Sequence, residues 1–172
     1  MRRTQFLFGA LGVLLLGLVA AAQAQPQFAG TWVLDRAQSQ LPAHRGRAPA
    51  ATDAQVQPPE VRLTVAQEGN TLKATRSVVR GNQERSAAET YVADGSQQLQ
   101  TTPRGSVTTR AAFEGDRFVV NKTFTRKSDQ GERTMSRESV WTLSPDGKVL
   151  TIDTTFHGPR GDRNMKSVYQ RA

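Results

Sequence analysis

From Val61 to its last residues the chain repeats one unit: a short run in which apolar or β-branched side chains alternate with polar ones, closed by a tight turn. The turns read Glu68-Gly69-Asn70, Arg80-Gly81-Asn82, Asp94-Gly95-Ser96, Glu114-Gly115-Asp116, Asp129-Gln130-Gly131 and Pro145-Asp146-Gly147. A period of two belongs to a strand wetted on one face and buried on the other, and Gly, Asn and Asp supply the reversals between such strands. The pattern predicts strands near 61–67, 72–79, 84–92, 97–102, 106–113, 117–126, 132–143, 148–156 and 163–171, preceded by one at Phe28–Leu34. Short connections pair each strand with its predecessor, which leaves two open edges unless the ends of the meander meet. The expectation is an all-β fold, an antiparallel up-and-down meander of about eight to ten strands closed into a barrel. Such a barrel is just wide enough to be filled by side chains or to hold one small ligand. No long amphipathic helix is present; one helical turn is expected after the first strand, where Asp35 and Gln38 have capping-box spacing.

Two segments depart from this pattern. Arg2 and Arg3 precede an uncharged apolar run from Phe6 to Ala22, followed by Ala22-Gln23-Ala24. That order is a secretory signal peptide cleaved after Ala24, and the run is shorter than the roughly 20 apolar residues of a membrane-spanning helix. The twin-arginine spacing is out of step by one residue, so ordinary export is expected. The chain has no cysteine to carry a lipid or form a disulfide. Residues 25–172 are therefore expected to be a single domain, periplasmic or secreted, with no transmembrane anchor after processing. Inside that domain, residues 40–59 contain Pro42, Pro49, Pro58 and Pro59 and have no periodicity. This reads as a long loop or a locally disordered stretch, and lid and tolerated insertion are equally open readings of it.

The formal net charge is +8, with arginine well ahead of lysine. The cations are interspersed with acids, and at 6% aromatic residues there are few rings on which bases could stack, so no nucleic-acid partner is expected. A protein partner is not specified by anything in the chain.

Phe28-Ala29-Gly30-Thr31-Trp32-Val33-Leu34-Asp35 resembles the Gly-x-Trp opening of lipocalins and, more closely, of small secreted bacterial lipocalin-like proteins. Ser167-Val168-Tyr169-Gln170-Arg171 is similar to their last strand, and Trp141, Leu143 and Ser144 leading into Pro145-Asp146-Gly147-Lys148 fit the bacterial group. The resemblance implies a lipocalin-like (calycin-type) β-barrel in which Trp32 packs near the floor against Arg171 by a cation–π contact. Two departures bear on function. The Thr-Asp-Tyr loop motif is missing, and Ser167 stands where fatty-acid-binding proteins would have an arginine, so their carboxylate site is not carried over.

Catalysis finds little support. Only His44 and His157 are available to a metal or a triad, and they lack ligand spacing. Ser139, Ser144 and Ser167 are not framed by a nucleophile-elbow motif. Glu84, Glu89, Glu132 and Glu138 lie on strands, where they read as partners of neighbouring arginines. Arg160-Gly161-Asp162 and Asn121-Lys122-Thr123 match an adhesion tripeptide and a glycosylation sequon, both short enough to arise by chance. No enzyme activity, metal or cofactor is expected.

The informative face carries Phe118, Val120, Lys122 and Phe124 on one strand, with Arg137 and Trp141 sharing a face on the next. If these line the lumen, an apolar pocket contains two cations that need an anionic partner, either a strand glutamate or a ligand. Phe118, Val120, Lys122, Phe124, Arg137 and Trp141 are thus the candidate ligand-binding residues, and Trp32 and Arg171 the structural pair. The expected function is non-enzymatic holding or carriage of a small hydrophobic or amphipathic, in one reading anionic, molecule in the barrel. The alternative is an envelope interaction or structural module with a filled lumen and a basic surface. An open lumen favours the first, and a lumen packed shut by Trp32, Trp141 and the phenylalanines the second.

Overall fold

The computed structural model describes residues 25–41, 58–129, 131–159 and 161–172. Residues 1–24, expected to be a signal peptide, residues 42–57 of the long connection with His44, Gln130 of the expected turn, and Arg160 lie outside those residues. Ten strands follow one another: β1 (Gly30–Gln40), β2 (Glu60–Glu68), β3 (Thr71–Arg80), β4 (Gln83–Val92), β5 (Asp94–Thr102), β6 (Gly105–Glu114), β7 (Arg117–Ser128), β8 (Gly131–Leu143), β9 (Val149–His157) and β10 (Arg163–Arg171). They form one antiparallel sheet in the order β4-β3-β2-β1-β10-β9-β8-β7-β6-β5, curled into a nearly closed barrel. The all-β antiparallel meander is as expected.

The first and last strands meet. β1 pairs with β10 from Trp32↔Arg171 to Asp35↔Val168, and the Ala172 amide donates to Thr31 O at 2.9 Å. The expected tryptophan–arginine contact is formed: the Arg171 guanidinium carbon lies 4.2 Å from the Trp32 ring centroid. Arg171 Nη1 and Nε also donate to Ala29 O and Gly147 O, at 3.1 and 2.9 Å, and Trp32 Nε1 donates to Phe28 O at 3.0 Å. Gly30 makes room for this arrangement. Its φ is +140°, and a Cβ there would stand 2.6 Å from Arg171 Nη1.

Three expectations are corrected. Closure of the chain ends does not remove both edges, because β4 and β5 are not hydrogen-bonded to each other and form the two edges of the sheet. β4 pairs with β3 as far as Val92, and β5 begins its pairing with β6 at Asp94. Only Ala93 remains between them, too little chain for the two-residue reversal of a hairpin. Asp94-Gly95-Ser96 is accordingly a bulge at the start of β5, with the Ser96 amide on Asp94 Oδ1 at 2.8 Å. Finally, the turn at Asp35 is not helical: β1 runs on to Gln40, with a register shift between Asp35 and Gln40. Asp35 still accepts from the amides of Ala37 and Gln38, at 3.0 and 3.2 Å, so the capping-type bonds form inside a strand irregularity.

Alternation dictates what is inside. In β2 Val61, Leu63 and Val65 are buried while their neighbours are exposed. The inner side chains converge at one end of the barrel, where Phe28, Trp32, Leu72, Phe118 and Leu150 are fully buried. Phe118 and Trp141 meet edge to face at 5.5 Å, and Tyr91 and Phe113 pack on Phe118 at 5.8 and 5.4 Å. This aromatic floor fills the lower lumen; the upper lumen is a different environment.

Candidate functional site

Above the floor lies a cavity of about 850 Å³. Its apolar lower wall comes from Leu63, Ala74, Val120, Trp141 and Ile152. Higher up, Ser139 and Thr154 are buried and hydrogen-bonded to each other at 3.2 Å, and Ser167 is buried near Tyr169. Burial pushes the Tyr169 hydroxyl up, and Arg76 and Ser167 beside it act in the opposite direction. The described ends of the long connection, Leu41 and Pro59, stand at the mouth. The lumen is therefore packed shut only in its lower part.

The register of β7 with β8 places Phe118 opposite Trp141, Val120 opposite Ser139, Lys122 opposite Arg137 and Phe124 opposite Met135, so the face read from parity is one face. Its members nevertheless occupy three environments. Val120, Arg137 and Trp141 line the cavity. Phe118 lies within the floor, wholly buried, and does not line the cavity. Phe124 is half-buried, with the Arg137 guanidinium carbon 5.9 Å from its ring centroid.

Lys122 does not line the cavity either. Its side chain is only 8% exposed, and its ammonium donates to Glu89 Oε1 at 2.7 Å while standing 5.1 Å from the Tyr91 ring centroid. The Tyr91 hydroxyl donates to the other oxygen of Glu89. Burial alone would raise the Glu89 carboxyl, but bonds from Lys122 and Tyr91 and the field of Arg137 hold it below its ordinary value. Burial, with Glu89 beside it, pushes the Tyr91 hydroxyl far above the usual phenol range. Of the two partners considered for a buried cation, Lys122 thus has the strand glutamate.

Arg137 has no such carboxylate, and three further arginines share the cavity with it: Arg36, Arg76 and Arg80. Among the described residues, none of the four forms an ion pair. Among the described residues Glu89 is the one acid on the lining, and it is held by Lys122 and Tyr91. Arg76 and Arg80 escaped the reading of the sequence, although parity along β3 would have found them: they alternate on one face with Leu72, Ala74 and Val78.

Of the two candidate histidines only His157 is among the described residues. Among the described residues no group of His, Asp and Glu is placed to hold a metal ion. His157 Nδ1 faces Asp162 Oδ1 at 2.9 Å, and Ser144 is engaged with Asp146 in the β8–β9 turn. Asn121 of the sequon is an exposed residue in mid-strand.

No protein-family model matches the sequence, and no curated protein matches it. Among solved structures, the chain is similar to the zebrafish ileal bile acid-binding protein complexed with cholic acid, at 13% identity over 84% of this chain and 98% of that one, TM-score 0.49. Secretory abundant heat soluble protein 4 from Ramazzottius varieornatus gives 11% identity, 84% and 94% coverage and TM-score 0.49. Human cRBP IV gives 14%, 85% and 98%, and 0.45.

Proposed function

We propose that this protein is an exported, non-enzymatic binding protein that holds a small, partly apolar anion in its barrel. One observation carries the reading: a cavity with an aromatic floor and apolar lower wall has four guanidinium groups on its lining and, among the described residues, a single carboxylate there, Glu89, which is already bonded to Lys122 and Tyr91. Binding sites for small molecules are concave and mostly apolar, with a few polar groups that fix orientation. Guanidinium is weakly hydrated, always charged and shaped to grip a carboxylate, sulfate or phosphate through paired donors. Arg76 and Arg137 would hold an anionic end, with Tyr169 and Ser139 at hand, while the ligand's apolar body lies against the apolar part of the cavity lining. The basic overall charge would favour capture of such anions.

Native mass spectrometry of the mature protein, released gently from its own cell envelope, tests this directly. The expected result is a chain beginning at Gln25 with an added mass that disappears on denaturation. A bare polypeptide mass, together with tryptophan fluorescence unmoved by added fatty and aromatic acids, would overturn the binding reading and favour an envelope interaction module. A chain still carrying residues 1–24 would overturn export by cleavage.

A further inference from the structure

The four cavity arginines form two groups. Arg76, although exposed, stands beside the Tyr169 hydroxyl, and Arg137 is close enough to Glu89 and Tyr91 to shift both electrostatically. Arg36 and Arg80 belong to the rim. Arg36 Nη2 donates to Pro59 O at 2.7 Å, and the β2–β3 register, with Glu60 opposite Val79, brings Pro59 opposite Arg80. Arg36 and Arg80 thus flank Pro59 from the two neighbouring strands, about 10 Å apart across two strand spacings. Arg80 stands four residues beyond Arg76 on the same face of β3, about 13 Å along the strand. The single bond from Arg36 to Pro59 O leaves most of its five donors uncommitted.

One anionic headgroup held by Arg76 and Arg137 would leave the rim pair unneutralised, with its field focused by the low-dielectric wall of the same cavity. We infer that the physiological ligand carries two anionic groups separated by an apolar span, one held by Arg76 and Arg137 and the other at the rim by Arg36 and Arg80. This rests on the binding reading above and adds the second anion site. A dianionic amphiphile, such as a long-chain dicarboxylate, matches two cationic stations with Val61 and Val78, paired across β2 and β3, lining the cavity between them.

The test compares dodecanedioate with its monomethyl ester, which has the same chain and one charge fewer, by calorimetric titration of the full mature protein. The diacid is expected to bind about 10-fold tighter, as two extra exposed ion pairs permit, and to show a steeper loss of affinity with added salt. In the double variant Arg36→Gln/Arg80→Gln the ratio of the two affinities should fall to about one, with the thermal melt reporting that the variant is folded. Equal affinities for diacid and ester in the unmodified protein, or a preference that survives the double substitution, would overturn the second site while leaving the binding reading intact. Binding of neither probe, with no endogenous mass on the native protein, would overturn both.

Discussion

The barrel has two seams, and they are made by opposite means. At the first, β1 and β10 come from the two ends of the described domain and are joined by backbone hydrogen bonds, capped by the Trp32–Arg171 contact. At the second, β4 and β5 are separated by one residue and share no ladder. Side chains close it instead: Glu89 reaches from β4 to Lys122 on β7, and Tyr91 leans on Phe118 and Trp141. The lesson is that proximity in sequence does not choose the ladder. Each strand commits its donors to whichever neighbour it can reach over its whole length, and a one-residue corner gives β4 and β5 no common length. The backbone seam should be stiff; the side-chain seam should yield to charge.

The largest test of this contrast lies at the first seam. Trp32 is fully buried and joins the floor to the strand pair that closes the barrel. Trp32→Ala should cost about 3–5 kcal/mol, as for other large core truncations, and urea unfolding followed by circular dichroism measures it. A loss smaller than that caused by Glu89→Gln would reverse the ranking of the seams.

At the second seam the effect should be smaller and depend on pH. Glu89→Gln leaves the ammonium of Lys122 buried with a neutral partner, but Glu89 itself is 48% exposed and solvent screens the pair. The expected cost is about 1–2 kcal/mol, whereas Lys122→Met, which removes the buried charge, should cost less. Because the folded carboxyl sits below its ordinary value, its contribution is present above the unfolded carboxylate pKa and lost as pH falls through the folded one. Protection of the β4 amides against exchange, relative to the intrinsic rate at each pH, should fall in acid before that of β1 and β10. The Gln variant should lose this response; a uniform fall in protection in all three strands would show that the seam is not a separate unit.

How much of this was legible follows the same division. β2 announces itself, because Val61, Leu63 and Val65 alternate with exposed neighbours and period two permits one facing. Trp32 and Arg171 are adjacent only across the closure, yet the likeness of both chain ends to lipocalins placed them together. The open seam was not legible, since Asp94-Gly95-Ser96 has the composition of a hairpin turn and is used as a bulge. Asp35 and Gln38 likewise make the same local bonds in a helix cap and in a strand irregularity. In the site, parity along β7 and β8 found Val120, Arg137 and Trp141, but could not show that Glu89 would cross the seam to neutralise Lys122. The β3 arginines were passed over because an arginine on a half-wet strand reads as surface until the face opposite is known.

The smallest expected effect on stability distinguishes the seams most sharply. Both edges are unpaired, but β4 carries Glu84, Arg85 and Glu89, whereas β5 has no charge from Gly95 to Pro103 and exposes Leu99 at 66%. Charge on an edge strand discourages pairing with another chain, and a neutral edge with an exposed leucine invites it. Leu99→Lys should therefore change the unfolding free energy by less than about 0.5 kcal/mol while lowering concentration-dependent association in sedimentation velocity. The same substitution at the bonded seam, Val168→Lys, would place an ammonium where the native side chain is 4% exposed and should unfold much of the protein. If Leu99→Lys proved as damaging as Val168→Lys, β5 would have to be covered in solution, and the second seam would not be open at all.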